Sequence, residues 1–252
     1  MNWFERYSIP GAYFCGLILA WIWAICPQVL NGTSRSAIGI IVGFSFLPAG
    51  YIIFMCQQWL YLSIKSLGIY RAAKKEANVK FSPDDYDDEP SIEASVLPLL
   101  NSPCIKAEKH KFTHDWIGRR TAVIAINQSV ILATVLSPIV AFLIGFCITL
   151  NWQTLCLTPI SLFLAYFILI LLRLKCKMKC LPWWVTTAFF IFIALFIICH
   201  SVTRSCHNMF PRIAIIFVFC LLICLIMFFN TIILRKQVIK VLTNFFERSK
   251  TC

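Results

Sequence analysis

The sequence predicts an all-α, polytopic membrane protein with about six transmembrane helices and both termini in the cytoplasm. The first observation is composition: the 252 residues are 60% hydrophobic and 13% charged, whereas soluble domains carry about 25% charged residues. The second is the presence of six apolar runs near the roughly 20 residues that a helix needs to cross a bilayer. The third is the one-sided distribution of Lys and Arg between these runs.

The predicted spans follow one another with short connections, except after the second. They cover residues 10–30, 37–60, 121–150, 155–172, 183–200 and 213–234. The residues before the first span are expected to form a short surface helix that stops at Pro10 and Gly11. The chain is thus divided into a first helical hairpin (1–64), a cytoplasmic segment (65–120), four further spans (121–234) and a basic amphipathic tail (235–252).

The orientation follows from the basic residues. Of the 23 Lys and Arg residues, all but Arg35, Arg204 and Arg212 fall on one side of a six-span chain, which is the cytoplasmic side by the positive-inside rule. Their position beside apolar runs predicts contact with anionic lipid. The residues assigned to this lipid surface are Arg173, Lys175, Lys177, Lys179, Arg235 and Lys236. Nucleic acid is disfavoured because no basic-aromatic domain is present.

The cytoplasmic segment 65–120 is predicted to be a loop or a helical hairpin, because it has several prolines and few large apolar residues. It carries an acidic block and two histidines, which we assign to partner binding or regulation: Asp84, Asp85, Asp87, Asp88, Glu89, His110 and His114. The acidic block lacks the pattern of a calcium loop. His110, His114 and Asp115 lie together, and the two histidines have the i, i+4 spacing of metal ligands, while His with Asp can transfer protons. Without a third ligand to complete a metal site, or a nearby nucleophile, we assign neither role to them.

The tail places apolar residues on one helical face between basic residues, namely Val238, Val241, Leu242 and Phe245. This pattern is typical of a helix that lies on anionic lipid or that continues the sixth span. A helix that docks on a partner is the functional alternative.

Spans two and three carry polar and small residues at helical spacing. The set comprises Gly39, Gly43, Gly50, Gln57, Asn127, Gln128, Thr134, Ser137, Pro138 and Gly145. One interpretation is that the two spans pack together, with small residues allowing close approach and amides forming hydrogen bonds. The other is that these faces meet around the axis of an oligomer and line a path for water or ions, with prolines as kinks. Spans five and six lack such a stripe and are expected to face lipid.

The chemistry of the sequence argues against catalysis. All 11 acidic residues lie in predicted cytoplasmic parts, and no nucleophile motif, phosphate-binding loop or metal-protease helix occurs. The 13 cysteines lack zinc spacing, and many fall in apolar runs where Cys behaves as a small hydrophobe. We therefore predict no catalytic residue, no cofactor and no metal. A secondary transporter or a membrane enzyme is the third-ranked class. Coupled carriers usually need an intramembrane carboxylate, and the predicted spans contain none.

The segments "RYSIPGAYFCGLILAW" and "GFSFLPAGYIIFMCQQWL" resemble the paired N-terminal spans of small bacterial membrane effectors in anti-phage defence. The resemblance covers about the first 60 residues and depends on Pro10, Gly11, Gly50, Tyr51, Gln58 and Trp59. It implies a protein that permeabilises the inner membrane and whose cytoplasmic part senses a partner or signal.

These observations lead to a functional prediction. The leading hypothesis is a non-enzymatic, homo-oligomeric membrane protein of pore-forming or effector type, regulated through residues 65–120. The alternative is a structural subunit or assembly factor of a larger membrane complex. The expected location is a bacterial inner membrane, with a eukaryotic membrane as the alternative.

Overall fold

The computed structural model of the protein describes residues 3–25, 34–63, 69–78, 107–149, 164, 168 and 210–250. Apart from a turn at Ala77 and Asn78, all of these residues are helical. The helices within them are α1 (Trp3–Ile25), α2 (Ser34–Ser63), α3 (Ile69–Glu76), α4 (Ala107–Thr149) and α5 (Phe210–Lys250). The all-α prediction is confirmed for this part of the chain.

Three stretches of these helices are long and apolar enough to cross a membrane: Phe4–Ile25, Trp116–Ile144 and Pro211–Asn244. They overlap the first, third and sixth predicted spans. Helix α2 contains the second predicted span and, with 30 residues, is about 45 Å long at 1.5 Å per residue, but it is not among the three. The fourth and fifth predicted spans lie outside the described residues except at positions 164 and 168. The six-span count and the orientation stay predictions.

The predicted stop at Pro10 and Gly11 is wrong. Helix α1 runs without a break from Trp3 to Ile25 and has Pro10 inside it. A proline removes one backbone hydrogen bond and disfavours a helix interior. Pro10 is buried, however, and the next residue packs directly on α2. Tertiary packing therefore overrides the local signal.

Helices α4 and α5 extend well beyond the apolar runs from which they were predicted. Helix α4 has 43 residues and begins at Ala107, inside the predicted cytoplasmic segment. Helix α5 has 41 residues and continues through the basic tail to Lys250. The structure therefore agrees with the alternative in which the tail continues the helix of the sixth span.

The chain forms two compact units. The first comprises Met1–Arg6, Phe54–Ser129 and Met227–Cys252, and the second comprises Tyr7–Ile53 and Val130–Ile226. In the first unit, α3, the start of α4 and the end of α5 share one apolar core. Its buried members are Ile69, Ala73, Ala77, Ile117, Ile124, Leu234, Val238, Ile239 and Leu242. Three residues of the apolar face of the tail, Val238, Val241 and Leu242, are therefore packed against protein.

Helix α3 has only eight residues, and a helix of this length is not stable alone. Its packing in this core therefore stabilises it. Ile69, Ala73 and Ala77 recur at the i, i+4, i+8 spacing that puts them on one helix face, and all three are buried. Asn78 ends the helix with φ 50°, which is the left-handed cap that Asn tolerates. The Thr243 hydroxyl of α5 donates to the Ile239 carbonyl at 2.9 Å and lies 3.5 Å from the Ala73 carbonyl.

Truncation of Leu242 tests whether the tail is packed in this core. Leu242 is fully buried, so Leu242→Ala is expected to lower the free energy of unfolding by about 2–5 kcal/mol. Lys240→Ala, at an exposed position two residues away, should change it by less than about 0.5 kcal/mol. Unfolding in detergent measures both. Equal, small effects would contradict the packed tail.

The second unit has its core between α1, α2, α4 and α5. Trp21 of α1, Ala141 of α4 and Cys220 of α5 belong to one buried cluster. Phe14 of α1, Ile53 of α2 and Ala133 of α4 form another. The outward side of α5 is apolar and exposed over more than four turns, at Ile215, Val218, Phe219, Leu222, Ile226, Phe229 and Ile233. This is the kind of surface that the sequence predicts for a span facing lipid.

Candidate functional site

Helices α1 and α2 approach each other backbone to backbone at Gly11 and Gly50. A Cβ added to Gly11 would overlap the Phe46 carbonyl oxygen and lie 2.9 Å from the Gly50 nitrogen. A Cβ added to Gly50 would overlap the Tyr7 carbonyl oxygen and lie 3.1 Å from the Gly11 Cα. Only glycine permits such an approach, which is the small-residue packing expected of membrane helices. The ring of Tyr51 packs edge-on against that of Tyr7, with centroids 5.5 Å apart.

A chain of amides joins α2 to α4 in the first unit. The Gln57 amide donates to the Gln128 side-chain oxygen at 2.5 Å, and Gln58 donates to the Gln57 oxygen at 3.0 Å. Gln57 is buried, and Asn127, beside Gln128, is buried as well. The structure therefore brings together two of the predicted amides, Gln57 and Gln128.

The hydroxyl of Thr134 is the centre of a second polar contact, in the second unit. It lies 3.0 Å from the Tyr13 hydroxyl of α1 and donates to the Val130 carbonyl at 2.8 Å. Since that donation uses its only hydrogen, the Tyr13 hydroxyl is the donor between the two side chains.

One turn farther along α4, Ser137 receives a hydrogen bond from Trp21. The indole Nε1 donates to the Ser137 oxygen at 3.1 Å, and the Ser137 hydroxyl donates to the Thr134 carbonyl at 3.2 Å. We call these four side chains, Tyr13, Trp21, Thr134 and Ser137, the polar seam. The seam lies where α1 meets α4, with the apolar cluster of Trp21, Ala141 and Cys220 around it.

The polar seam is buried, and its hydrogen bonds are made within a single chain. Trp21, Thr134 and Ser137 have no exposed surface, and Pro138 is also buried. Each seam hydroxyl has a partner, so none is left to be satisfied by lipid or by a second copy. The seam contains no charge, and within the described ranges no three His, Cys, Asp or Glu residues come close enough to hold a metal. Its chemistry is that of neutral hydrogen bonding.

The remaining predicted residues are placed as follows. No atom of the described part of the chain lies within 4 Å of a Cβ added to Gly43. Arg235 is half-buried and Lys236 is exposed. Gly39, Gly145, His110 and His114 lie in helices, but their surroundings are outside the described residues. The acidic block (84–89) and the basic residues of 173–179 also lie outside the described residues.

The contacts of Gly50, Thr134 and Ser137 differ from those that their spacing predicts, because Gly50 of α2 meets α1, and Thr134 and Ser137 of α4 also meet α1. Helices α2 and α4 are joined by the predicted amides Gln57 and Gln128 in the first unit. In the second unit they pack through a face of α4 that includes Leu132, Ala133 and Leu136. The periodicity of a helix identifies its polar face without naming the neighbour that covers it.

Sequence reasoning missed the α1 partners, Gly11, Tyr13 and Trp21. A signal for two of them was present. Tyr13, Leu17 and Trp21 recur every four residues, and Trp21 lies too deep in the first predicted span to be an interfacial anchor. A buried indole usually needs a hydrogen-bond acceptor, so a mid-span Trp predicts a polar partner on a neighbouring helix.

Comparison with models of protein families, with curated proteins and with solved structures found no match for this chain. The resemblance to anti-phage effectors stays a prediction. Four of the residues on which it depends are nevertheless close in space, because Pro10, Gly11, Gly50 and Tyr51 all lie at the crossing of α1 and α2.

Proposed function

We propose that this chain is a non-enzymatic integral membrane protein of pore-forming or membrane-effector type, closed at rest by the polar seam and active as a homo-oligomer. One observation carries the proposal. The apolar helices hold hydroxyls that face another helix of the same chain and are joined to it by two side-chain hydrogen bonds. Separation of α1 from α4 would expose a polar, small-residue face that water can wet.

The hydrogen bonds of the seam are a small part of what opposes opening. A single hydrogen bond contributes about 0.5–1.5 kcal/mol net to stability, so most of the free energy that holds α1 on α4 comes from the apolar cluster around Trp21. A partner or signal must supply this free energy through its higher affinity for the open state. Pro138 is buried beside Ser137 and interrupts the backbone ladder of α4. Such a position is a common site of helix bending.

Regulation is assigned to residues 65–120, whose described part is α3 and the start of α4. Helix α3 packs on α4 and α5, and each of these helices continues without a break into residues beside the seam. A ligand that displaces or tightens α3 therefore acts on the two helices that carry Thr134 and Cys220. The cytoplasmic location of this segment and the contact of its basic neighbours with anionic lipid are part of the proposal.

An ion-flux assay in liposomes tests this function. Tyr13→Phe combined with Ser137→Ala removes both hydrogen bonds across the seam and little volume. If the seam keeps a path closed, the double variant should leak ions several-fold faster than the wild type. Tyr51→Phe removes a tyrosine hydroxyl from a half-exposed side chain and should leave the flux unchanged. A folded double variant with no increase in flux would contradict the proposal.

The second candidate is a structural subunit or assembly factor of a membrane complex. It is favoured by the burial of Gln57, Thr134 and Ser137 within one chain, which serves helix packing whether or not a path exists. This candidate predicts that the protein purifies from native membranes with stoichiometric partners and is a monomer without them. A homo-oligomer without partners would exclude it.

A further inference from the structure

Five polar side chains lie at one level of the first unit, and we call them the polar layer: Gln57, Gln58, Asn127, Gln128 and Ser129. Positions 127 to 129 differ by only about 3 Å along the axis of α4. The hydrogen bond from Gln57 to Gln128 places α2 at the same level. Gln58 joins the layer through its hydrogen bond to Gln57.

Three buried atoms of this layer have no hydrogen-bond partner among the residues that the structure describes: Gln58 Oε1, Asn127 Nδ2 and Ser129 Oγ. Asn127 is 4% exposed and Ser129 is fully buried. A buried amide or hydroxyl without a partner is strongly unfavourable, and native proteins pair such groups with protein or with bound water. The layer therefore needs a ligand.

The chemistry of the three atoms defines that ligand. The Asn127 amide nitrogen is a donor, the Gln58 oxygen is an acceptor, and the Ser129 hydroxyl is both. A cation would be repelled by the N–H group of Asn127, and an anion would be repelled by the oxygen of Gln58, so no single kind of ion could serve both positions. The ligand must be small, neutral and able both to donate and to accept. Water has these properties.

We infer that the polar layer binds ordered water on two sides of α4. Ser129 is about 200° from Asn127 around α4, so its water lies on the opposite side of the helix. Asn127 lies three residues after Ile124, which shares a core with Leu234, so its water lies on the side of α5. The water molecules follow from the unpaired atoms alone. Their role as the entrance of a path for ions rests on the proposed function.

Water-edited solid-state NMR of the full chain in lipid bilayers tests this inference, with water itself as the probe. Magnetisation from water should reach the side chains of Asn127 and Ser129 at least three-fold faster than those of Ala133 and Ala141. These two alanines are matched controls because they are equally buried on the same helix, in apolar clusters. Equally slow transfer to all four residues would overturn the inference.

A stability measurement gives a second, independent readout. If Ser129 were dry, Ser129→Ala would remove an unpaired hydroxyl and raise the unfolding midpoint. With bound water, the midpoint is expected to fall or to stay the same, so a rise would overturn the inference. Both measurements use the resting protein and involve no ion flux. If both measurements gave the contrary result, the bound water would be excluded, and the proposed function would still be tested by the liposome assay. If the layer were hydrated but the protein gave no ion flux, only the proposed function would be overturned.

Discussion

Replacement of Gly11 with valine is expected to prevent α1 and α2 from packing and to destabilise the folded protein by about 3 kcal/mol or more. The side chain would enter the space of the Phe46 carbonyl oxygen and of the Gly50 backbone, neither of which can move without separating the helices. Gly50→Val should have a similar effect because its side chain would meet the Tyr7 carbonyl oxygen. Unfolding in detergent and the yield of folded protein measure the loss.

Two other glycines of the same helices are matched controls. Among the residues that the structure describes, none lies within 4 Å of a Cβ added to Gly16 of α1 or to Gly43 of α2. Gly16→Ala and Gly43→Ala should therefore be neutral or slightly stabilising, since alanine is favoured over glycine in a helix by up to about 1 kcal/mol. If all four substitutions had the same effect, the close crossing of α1 and α2 would be contradicted.

Truncation of Trp21 should have the second large effect. Trp21 has no exposed surface, so Trp21→Ala is expected to cost about 3–5 kcal/mol through the cavity and lost contacts. Ser137 keeps its own donation to the Thr134 carbonyl in this variant, so most of the loss comes from packing. Chemical unfolding in detergent measures the loss.

Trp59 provides the control for this truncation. It is 69% exposed, and Trp59→Ala removes the same side chain from a position outside the core of the second unit. Its effect should be below about 1 kcal/mol, as is usual for positions away from buried packing. A loss at Trp59 as large as that at Trp21 would show that α1 is not packed on α4 as described.

The helical class was predictable because it depends on composition and run length alone. Long apolar runs such as 213–234 cannot be hidden in a soluble core of this size, and in a bilayer a helix satisfies every backbone group within the run itself. The residues at which the helices begin and end were less predictable. Local signals at Pro10 indicated a stop, whereas a close helix crossing at Gly11 stabilises the continuous helix.

The polar residues of the seam were predictable, and their partners were not. Helical spacing placed Thr134 and Ser137 near one face of α4, which the structure buries. It could not show that this face meets α1, because periodicity contains no information about which neighbour is nearest. The spacing of Gly39 and Gly43 pointed to a packing face on α2, yet no described residue lies within 4 Å of a Cβ added to Gly43, and Gly50 makes the close contact.

The buried seam also changes the pore hypothesis that the sequence favoured. In that hypothesis the polar faces of several copies meet around an axis. With Thr134 and Ser137 fully buried within one chain, an oligomer of this conformation would have an axis lined by other residues. A path through the seam therefore requires α1 to leave α4, which ties activity to a conformational change.

The polar face of α4 is held by α1 of the same chain. A double-mutant cycle on Trp21→Phe and Ser137→Ala, measured by unfolding of the monomeric protein in detergent, tests this contact. The two substitutions are expected to couple by about 1 kcal/mol, the net contribution of a buried hydrogen bond. Strictly additive effects would mean that Trp21 and Ser137 do not interact, and would contradict the closed seam.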